Sequence, residues 1–146
     1  ENLPACYRDS HASPYYPFGY GLTYSEVRYA TPVCEPSVFS ARALTDGAGF
    51  RVSVELENVG ERAATEVVQL YVRDPVARIA RPLRELKAFR RVPIQPGERV
   101  TVTFLLGCTE LGYYTKTGDF VVEPGEFLFY VGENCLSENK VSVRLE

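Results

Sequence analysis

Residues 50–56 read Phe-Arg-Val-Ser-Val-Glu-Leu, and this stretch is the strongest indicator of the fold. Apolar side chains occupy every second position, and polar or charged ones fill the positions between them. Because a strand turns successive side chains to opposite faces, a period of two places one set on a core and the other toward water. Turn-forming residues at 58–60 then end the run. The stretch therefore predicts a β-strand with one buried face.

The same alternation returns several times after about residue 37. The further runs are residues 65–72, 100–104, 127–131 and 141–145. In the run 65–72 both faces are partly apolar, which predicts a central strand or a second contact surface. Residues 83–94 fit either a short helix or a strand when periodicity alone is considered.

About seven short strands with frequent Pro and Gly turns, and no convincing helix longer than ten residues, predict an all-β antiparallel sandwich. A polar face on each strand excludes a parallel sheet covered by helices. We assign residues 37–146 to the sandwich and residues 1–36 to an irregular N-terminal extension. Because the chain begins with Glu1 and contains no Met, we expect an excised or processed piece.

The extension contains an unusual aromatic segment at residues 14–24, which we name the strap. It holds four Tyr, one Phe, two Pro and two Gly in eleven residues. Disordered linkers lack so many aromatic rings, so we expect the strap to lie on a surface. The rings would pack on this sandwich or on a neighbouring domain; sugar stacking and pairing of two copies are the alternatives. The candidate contact residues are Tyr16, Phe18, Tyr20 and Tyr24.

A second candidate surface is basic. Six Arg and one Lys fall between residues 73 and 91, a segment with only two acids. A solvated edge that blocks sheet-to-sheet aggregation and a surface that docks on an acidic domain are both consistent with this pattern. The candidate inter-domain contacts here are Arg73, Arg78, Arg81 and Arg84. A net charge of −3 and the lack of RNP-type aromatic motifs argue against nucleic acid as a partner.

The sequence predicts no catalytic centre. The only histidine, His11, stands beside Asp9 and Ser10, whereas a catalytic array needs side chains converging from separate elements. The 19 acids lie mostly at polar strand positions or in turns, and none marks a working pair. Phosphate loops, nucleophile elbows and zinc-protease motifs do not occur. We therefore expect no cofactor.

The cysteines are few and widely spaced. They are Cys6, Cys34, Cys108 and Cys135. This spacing does not match zinc sites or a dense disulfide framework, so we expect buried thiols, with one bridge as the alternative. No apolar run approaches the roughly 20 residues that span a bilayer, so no membrane partner is expected. The sequence indicates no compartment.

Several segments resemble a known family in the same order. Residues 16–24, Tyr-Pro-Phe-Gly-Tyr-Gly-Leu-Thr-Tyr, resemble the Y-P-F-G-Y-G-L-S-Y-T signature of family 3 glycoside hydrolases, the β-glucosidase and β-xylosidase family. Residues 66–75 resemble E-V-V-Q-L-Y-V-x-D in the C-terminal domain of that family. Residues 81–89 resemble R-P-x-K-E-L-K-G-F, with Arg84 in place of Lys and Ala88 in place of Gly. With the matching Pro-Gly-Glu segments further on, the resemblance covers roughly residues 7–143.

The resemblance implies a fibronectin type III-like domain preceded by the tail of another domain, and it implies a strand at residues 85–92. The family hydrolyses terminal β-linked sugars with retention, using an aspartate nucleophile and a glutamate acid/base. No residue of this chain matches those motifs, so the catalytic domains upstream are the expected partners. Such a domain is regarded as a support that sometimes lends a loop to the active-site rim; the segment Asp74–Arg84 is the candidate.

Overall fold

The computed structural model describes residues 14–75 and 83–146. In chain order, its elements are β1 (Val27–Tyr29), β2 (Val33–Glu35), β3 (Val38–Phe39), α1 (Ala41–Thr45), β4 (Phe50–Asn58), β5 (Ala64–Arg73), β6 (Glu85–Ile94), β7 (Arg99–Leu106), α2 (Cys108–Leu111), β8 (Tyr113–Tyr114), β9 (Phe120–Val121), β10 (Gly125–Gly132) and β11 (Lys140–Leu145).

The first sheet is built around β4. Strand β7 pairs antiparallel along its length, from Phe50 opposite Leu106 to Glu57 opposite Arg99. Strands β1 and β2 pair with the two ends of β4, also antiparallel. The core face of β4 is the apolar set of the alternating stretch, since Val52, Val54 and Leu56 are buried. The outer face of β4 is polar, and Arg51 and Glu55 on it are exposed.

The second sheet has the order β3-β11-β10-β5-β6. The pairing of β3 with β11 is parallel and the other pairings are antiparallel. Strand β5 lies between β10 and β6, as its two partly apolar faces predict. The register of β5 with β6 shifts between Leu70 and Tyr71, which leaves Lys87 as an extra residue on β6. Strands β8 and β9 form a separate small hairpin.

The two sheets face each other across one apolar core. Phe50 of β4 stacks on Phe39 with ring centroids 4.5 Å apart and approaches Phe129 of β10 at 5.5 Å. Val68, Leu70 and further inward residues of both sheets join this cluster. Burying one such large apolar side chain stabilises the fold by roughly 1.5–3 kcal/mol. The core thus supplies the rigid platform for everything on the outer faces.

The predicted all-β antiparallel sandwich is confirmed. Residues 85–94 are a strand, as the family resemblance implied, so the helical alternative for this segment is wrong. Helices α1 and α2 have only 5 and 4 residues. Strands β1 and β2 lie within the predicted 1–36 extension yet pair with β4, so the sheet begins ahead of residue 37. Within the described ranges, the helical segments fall short of the length and hydropathy needed for a membrane span.

Candidate functional site: the strap and its groove

The strap begins with a tight turn. The Tyr20 amide donates to the Pro17 carbonyl over 3.0 Å, and Gly19 has φ = 81°. A turn of this kind requires positive φ at its third residue, which favours glycine. A Cβ on Gly19 would lie 2.0 Å from Gln69 Oε1 and 2.6 Å from the Tyr71 hydroxyl oxygen. Gly19 therefore allows both the turn and the close approach of the strap to the sheet.

Two side chains on the outer face of β5 hold the strap backbone. The Gln69 amide nitrogen donates to the carbonyls of Gly19 at 2.9 Å and Glu133 at 2.6 Å. The Tyr71 hydroxyl donates to Gln69 Oε1 at 2.5 Å and so fixes the orientation of that amide. Burial raises the pKa of Tyr71 to about 12, with a smaller contribution from Cys135. The outer face of β5 is the second contact surface that its sequence predicted.

The loop after β10 forms the other support of the strap. The Cys135 amide donates to the Phe18 carbonyl over 3.0 Å. Arg84 Nη1 in turn donates to the carbonyls of Cys135 and Ser137, both at 2.7 Å, and Nη2 pairs with Glu138. These hydrogen bonds hold the loop in the position from which its amide reaches the strap.

Arg84 is largely buried by these contacts, with its side chain 17% exposed and its guanidinium 3.8 Å from the centre of the Tyr130 ring. Its hydrogen bond and charge lower the pKa of the Glu138 carboxyl below its ordinary value. The structure thus gives Arg84 an internal role, and an inter-domain contact by this residue stays a prediction.

Asn58 holds Ser25, the residue that directly follows the strap. The Ser25 hydroxyl donates to Asn58 Oδ1 at 2.6 Å, and the Asn58 amide nitrogen donates to the carbonyls of Arg62 and Ile94. Asn58 is fully buried, and these partners satisfy its polar atoms. The strap is thereby fastened at its turn and again just before β1.

The rings of the strap stay largely exposed although its backbone is bound. Tyr24 is 90% exposed, Phe18 66% and Tyr20 45%, and Tyr16 is also exposed. Contacts with the sandwich are few; Phe18 meets the Tyr71 ring edge-on at 6.5 Å. Burial of the rings by this chain's own sandwich is therefore incomplete, and the alternatives that place a partner over them stay open.

Between the strap and the sheet lies a groove of about 490 Å³. Its lining comprises strap residues 18–23, Val27 and Tyr29 of β1, residues of β5 and β6, and Glu133. The Tyr29 hydroxyl donates to Glu66 Oε1 at 2.7 Å, and Glu66 is only 7% exposed. Burial raises the pKa of Tyr29, and the neighbouring charges of Glu66 and Glu133 raise it further. Two carboxylates, those of Glu66 and Glu133, therefore affect the end of the groove at Tyr29.

The other predicted basic contacts are only partly described. Arg73, at the end of β5, is exposed, and Arg90 and Arg91 are exposed on β6. Arg78 and Arg81 lie outside the described residues, as does most of the segment 74–84 proposed for the active-site rim. An inter-domain contact through this basic surface therefore stays a prediction.

Residues 14–75 and 83–146 contain no group of three His, Cys, Asp or Glu side chains placed to hold a metal. Within these ranges Cys34, Cys108 and Cys135 are free thiols. Cys34 is buried as expected, and burial raises its pKa to about 11, with help from Glu35. Cys108 and Cys135 are only partly buried, so the expectation of buried thiols is wrong for these two. Cys6 and His11 lie outside the described residues.

The sequence interpretation did not single out Gln69, Asn58 or Glu133. The signal for Gln69 was present, since it falls on the second face of the run 65–72 among apolar neighbours. Asn58 looked like a turn residue, and Glu133 like a solvated acid. Their roles depend on partners more than 30 residues away along the chain, which local patterns do not show.

The sequence of this chain is similar to a known domain family and to known enzymes. The model of the fibronectin type III-like domain matches residues 66–135. A β-xylosidase of Formosa agariphila is 40% identical over 139 residues, covering 95% of this chain and 18% of the relative. Thermostable β-glucosidase B of Acetivibrio thermocellus is 42% identical over 122 residues, covering 83% of this chain and 16% of the relative.

Solved structures agree with the sequence relatives. A β-glucosidase from Erythrobacter marinus superimposes with a TM-score of 0.88 at 37% identity, covering 96% of this chain and 18% of that chain. A β-glucosidase from Listeria innocua gives a TM-score of 0.85 at 35% identity, covering 97% of this chain and 19% of that chain. This chain thus spans less than a fifth of the length of the proteins it resembles.

Proposed function

Because this chain belongs to the fibronectin type III-like domains of family 3 glycoside hydrolases, we propose that it is a non-catalytic structural domain that stabilises the catalytic domains of a β-glucosidase-like enzyme. That enzyme would hydrolyse terminal β-linked sugars with residues located elsewhere in the longer protein. The relatives are a β-xylosidase and β-glucosidases, which supports glycoside hydrolysis as the reaction of the longer protein. The strap supports the structural role.

The observation that carries this proposal is that the strap backbone is hydrogen-bonded to the sandwich while its aromatic rings stay exposed. Its backbone carbonyls are bound by Gln69 and Cys135, while Tyr16, Phe18 and Tyr24 stay exposed. Adjacent exposed aromatic rings on a fixed backbone are costly in water and are typical of an interaction surface. An inter-domain interface of this kind usually covers about 600–1,500 Å².

The two outer faces of the sandwich differ, which indicates the side that docks. The outer face of the first sheet carries Arg51, Glu55 and Thr101, all exposed and polar, and its exposed apolar residues Val33 and Leu105 stand singly among them. The outer face of the second sheet carries the strap, the groove and the exposed ring of Phe89. We therefore place the catalytic domains against the second sheet and leave the first sheet in water.

The test uses the longer enzyme with Tyr16, Phe18 and Tyr24 changed together to Ser. We expect a lower melting temperature for this enzyme than for the parent, because the surface buried between domains becomes polar. The matched control is Tyr114→Ser, which removes a ring that is 70% exposed on the β8–β9 hairpin and should leave melting unchanged. Equal melting of the triple variant and the control would contradict the docking role.

The non-catalytic part of the proposal has its own measurement. The isolated chain should release no product from an aryl β-glucoside or aryl β-xyloside at concentrations where the longer enzyme is active. Turnover that co-purifies with the isolated chain and scales with its concentration would reject this part. It would leave the docking result unaffected.

Pairing of two copies through the strap is a second candidate, because the same exposed rings suit a symmetric contact. Sedimentation of the longer enzyme and of its triple strap variant separates the two possibilities. A dimer that dissociates in the variant favours self-association, and an unchanged mass with lower melting favours docking within one chain.

A further inference from the structure

The charged residues that line the groove beside the strap are acidic, while the exposed Arg91 lies next to the groove, opposite Val67. Glu66 and Glu133 line the groove, and none of its described lining residues is Lys or Arg. One Glu66 oxygen is bound by Tyr29, and Glu133 is exposed at the surface. The Glu133 carbonyl is held by Gln69, which fixes the backbone that carries the second carboxylate. The end of the groove next to Tyr29 is therefore a place of negative potential on rigid supports.

The remaining walls of the groove are apolar or aromatic. Tyr20 and Phe89 each keep about half of their surface open, at 45% and 60%, and Val67 is also exposed. Leu22 and Leu86 extend the same lining. Such walls suit an occupant with a hydrocarbon stem or a flat face, and the carboxylates suit a cationic end. Long basic side chains combine these properties.

We propose that the groove receives an arginine side chain from the catalytic part of the longer enzyme, with its stem along the aromatic walls and its guanidinium toward Glu66 and Glu133. The inference rests on the proposed docking role and specifies its chemistry. Arginine is favoured over lysine because a planar guanidinium can stack on a ring and serve two carboxylates at once. The same domain already uses this pairing, where Arg84 stacks on Tyr130 and binds Glu138.

The test titrates the isotope-labelled chain with the peptide acetyl-Gly-Arg-Gly-amide and follows amide signals by NMR. We expect saturable shifts at Gly21, Thr23 and the side-chain amide of Gln69. The matched peptide with citrulline in place of arginine has the same shape and no charge, and should bind at least fivefold more weakly. Equal binding of the two peptides would overturn the proposal.

Variants of single acidic residues show which charge binds the arginine peptide. Glu133→Gln should reduce arginine-peptide binding to the level of the citrulline peptide, because the amide keeps the shape and removes the charge. The control Glu55→Gln changes an exposed acid on the opposite sheet and should leave the titration unchanged. Equal loss in both variants would indicate general electrostatic attraction and would also overturn the proposal.

Two further outcomes assign the groove to other occupants. Tighter peptide binding in a chain with Arg8→Gln, Arg78→Gln or Arg81→Gln would assign it to an arginine of this chain. Saturable shifts of the same signals with glucose or xylose, and none with the arginine peptide, would assign it to carbohydrate. Neither result decides whether the domain docks, since that is read from melting of the strap variant of the longer enzyme.

Discussion

Gly19 offers the sharpest test of the strap, because its substitution by alanine adds only one carbon. Alanine at φ = 81° costs about 1–2 kcal/mol in backbone energy. The new Cβ would also lie 2.0 Å from Gln69 Oε1, so the Gln69 amide must move and release the Gly19 carbonyl. One lost hydrogen bond of this kind costs about 1 kcal/mol. We therefore expect Gly19→Ala to lower the free energy of unfolding by about 2–3 kcal/mol.

The matched control is Gly21→Ala, two residues further on. No atom outside its chain neighbours lies within 4 Å of a Cβ built there, and its φ is not positive. We expect this variant to stay within about 0.5 kcal/mol of the parent chain, as is usual for surface substitutions. Urea unfolding followed by tyrosine fluorescence gives both values, since the chain has ten Tyr and no Trp.

A local measurement separates strap release from general destabilisation. The Cys135 amide donates to the Phe18 carbonyl, so its hydrogen exchange reports whether the strap is bound. In Gly19→Ala this amide should exchange faster, while the amide of Val54 in the core strand β4 should follow global stability alone. Equal stability and equal Cys135 exchange in the Gly19→Ala and Gly21→Ala chains would refute the idea that the Gly19 turn fastens the strap to β5.

Two other predictions concern charge. Arg84→Gln should destabilise the chain by about 2–3 kcal/mol because two loop carbonyls and a carboxylate lose a charged donor; the control Arg90→Gln, at an exposed position on β6, should change urea unfolding little, and equal unfolding of the two would contradict the clamp. Burial raises the pKa of Tyr71 to about 12, so the folded chain keeps a proton that the unfolded chain loses near pH 10. Its contribution to stability is therefore complete below about pH 10 and is lost between about pH 10 and 12. Tyr71→Phe should flatten this fall in urea midpoint relative to Tyr114→Phe, and a parallel fall in both would show that Tyr71 is not responsible.

The alternating runs predicted most of the sandwich because burial on one face is a property of neighbouring residues. Residues 50–56 became β4 and residues 65–72 became the body of β5, with Val68, Leu70 and Val72 in the core. Periodicity did not separate helix from strand for residues 83–94, where apolar residues are sparse. The family resemblance supplied the correct state there, and pairing with β5 is its physical cause.

The strap shows where local patterns stop being informative. Its composition predicted an ordered segment on a surface, because rings, Pro and Gly together suit neither disorder nor regular structure. It did not show that the backbone is bound by Gln69 and Cys135 while the rings stay exposed. That arrangement depends on contacts between residues 50 to more than 100 positions apart, which only chain folding brings together.

For the charged residues too, the sequence showed their positions, and only the fold showed their partners. The count of basic residues between positions 73 and 91 was visible in the chain, but the internal pairing of Arg84 with the loop after β10 was not. The groove with Glu66 and Glu133 exists because the strap, β1, β5 and that loop meet at one edge of the sandwich. Strand identity arises from neighbours along the chain, whereas the surface that a partner would meet arises from distant segments held side by side by the core.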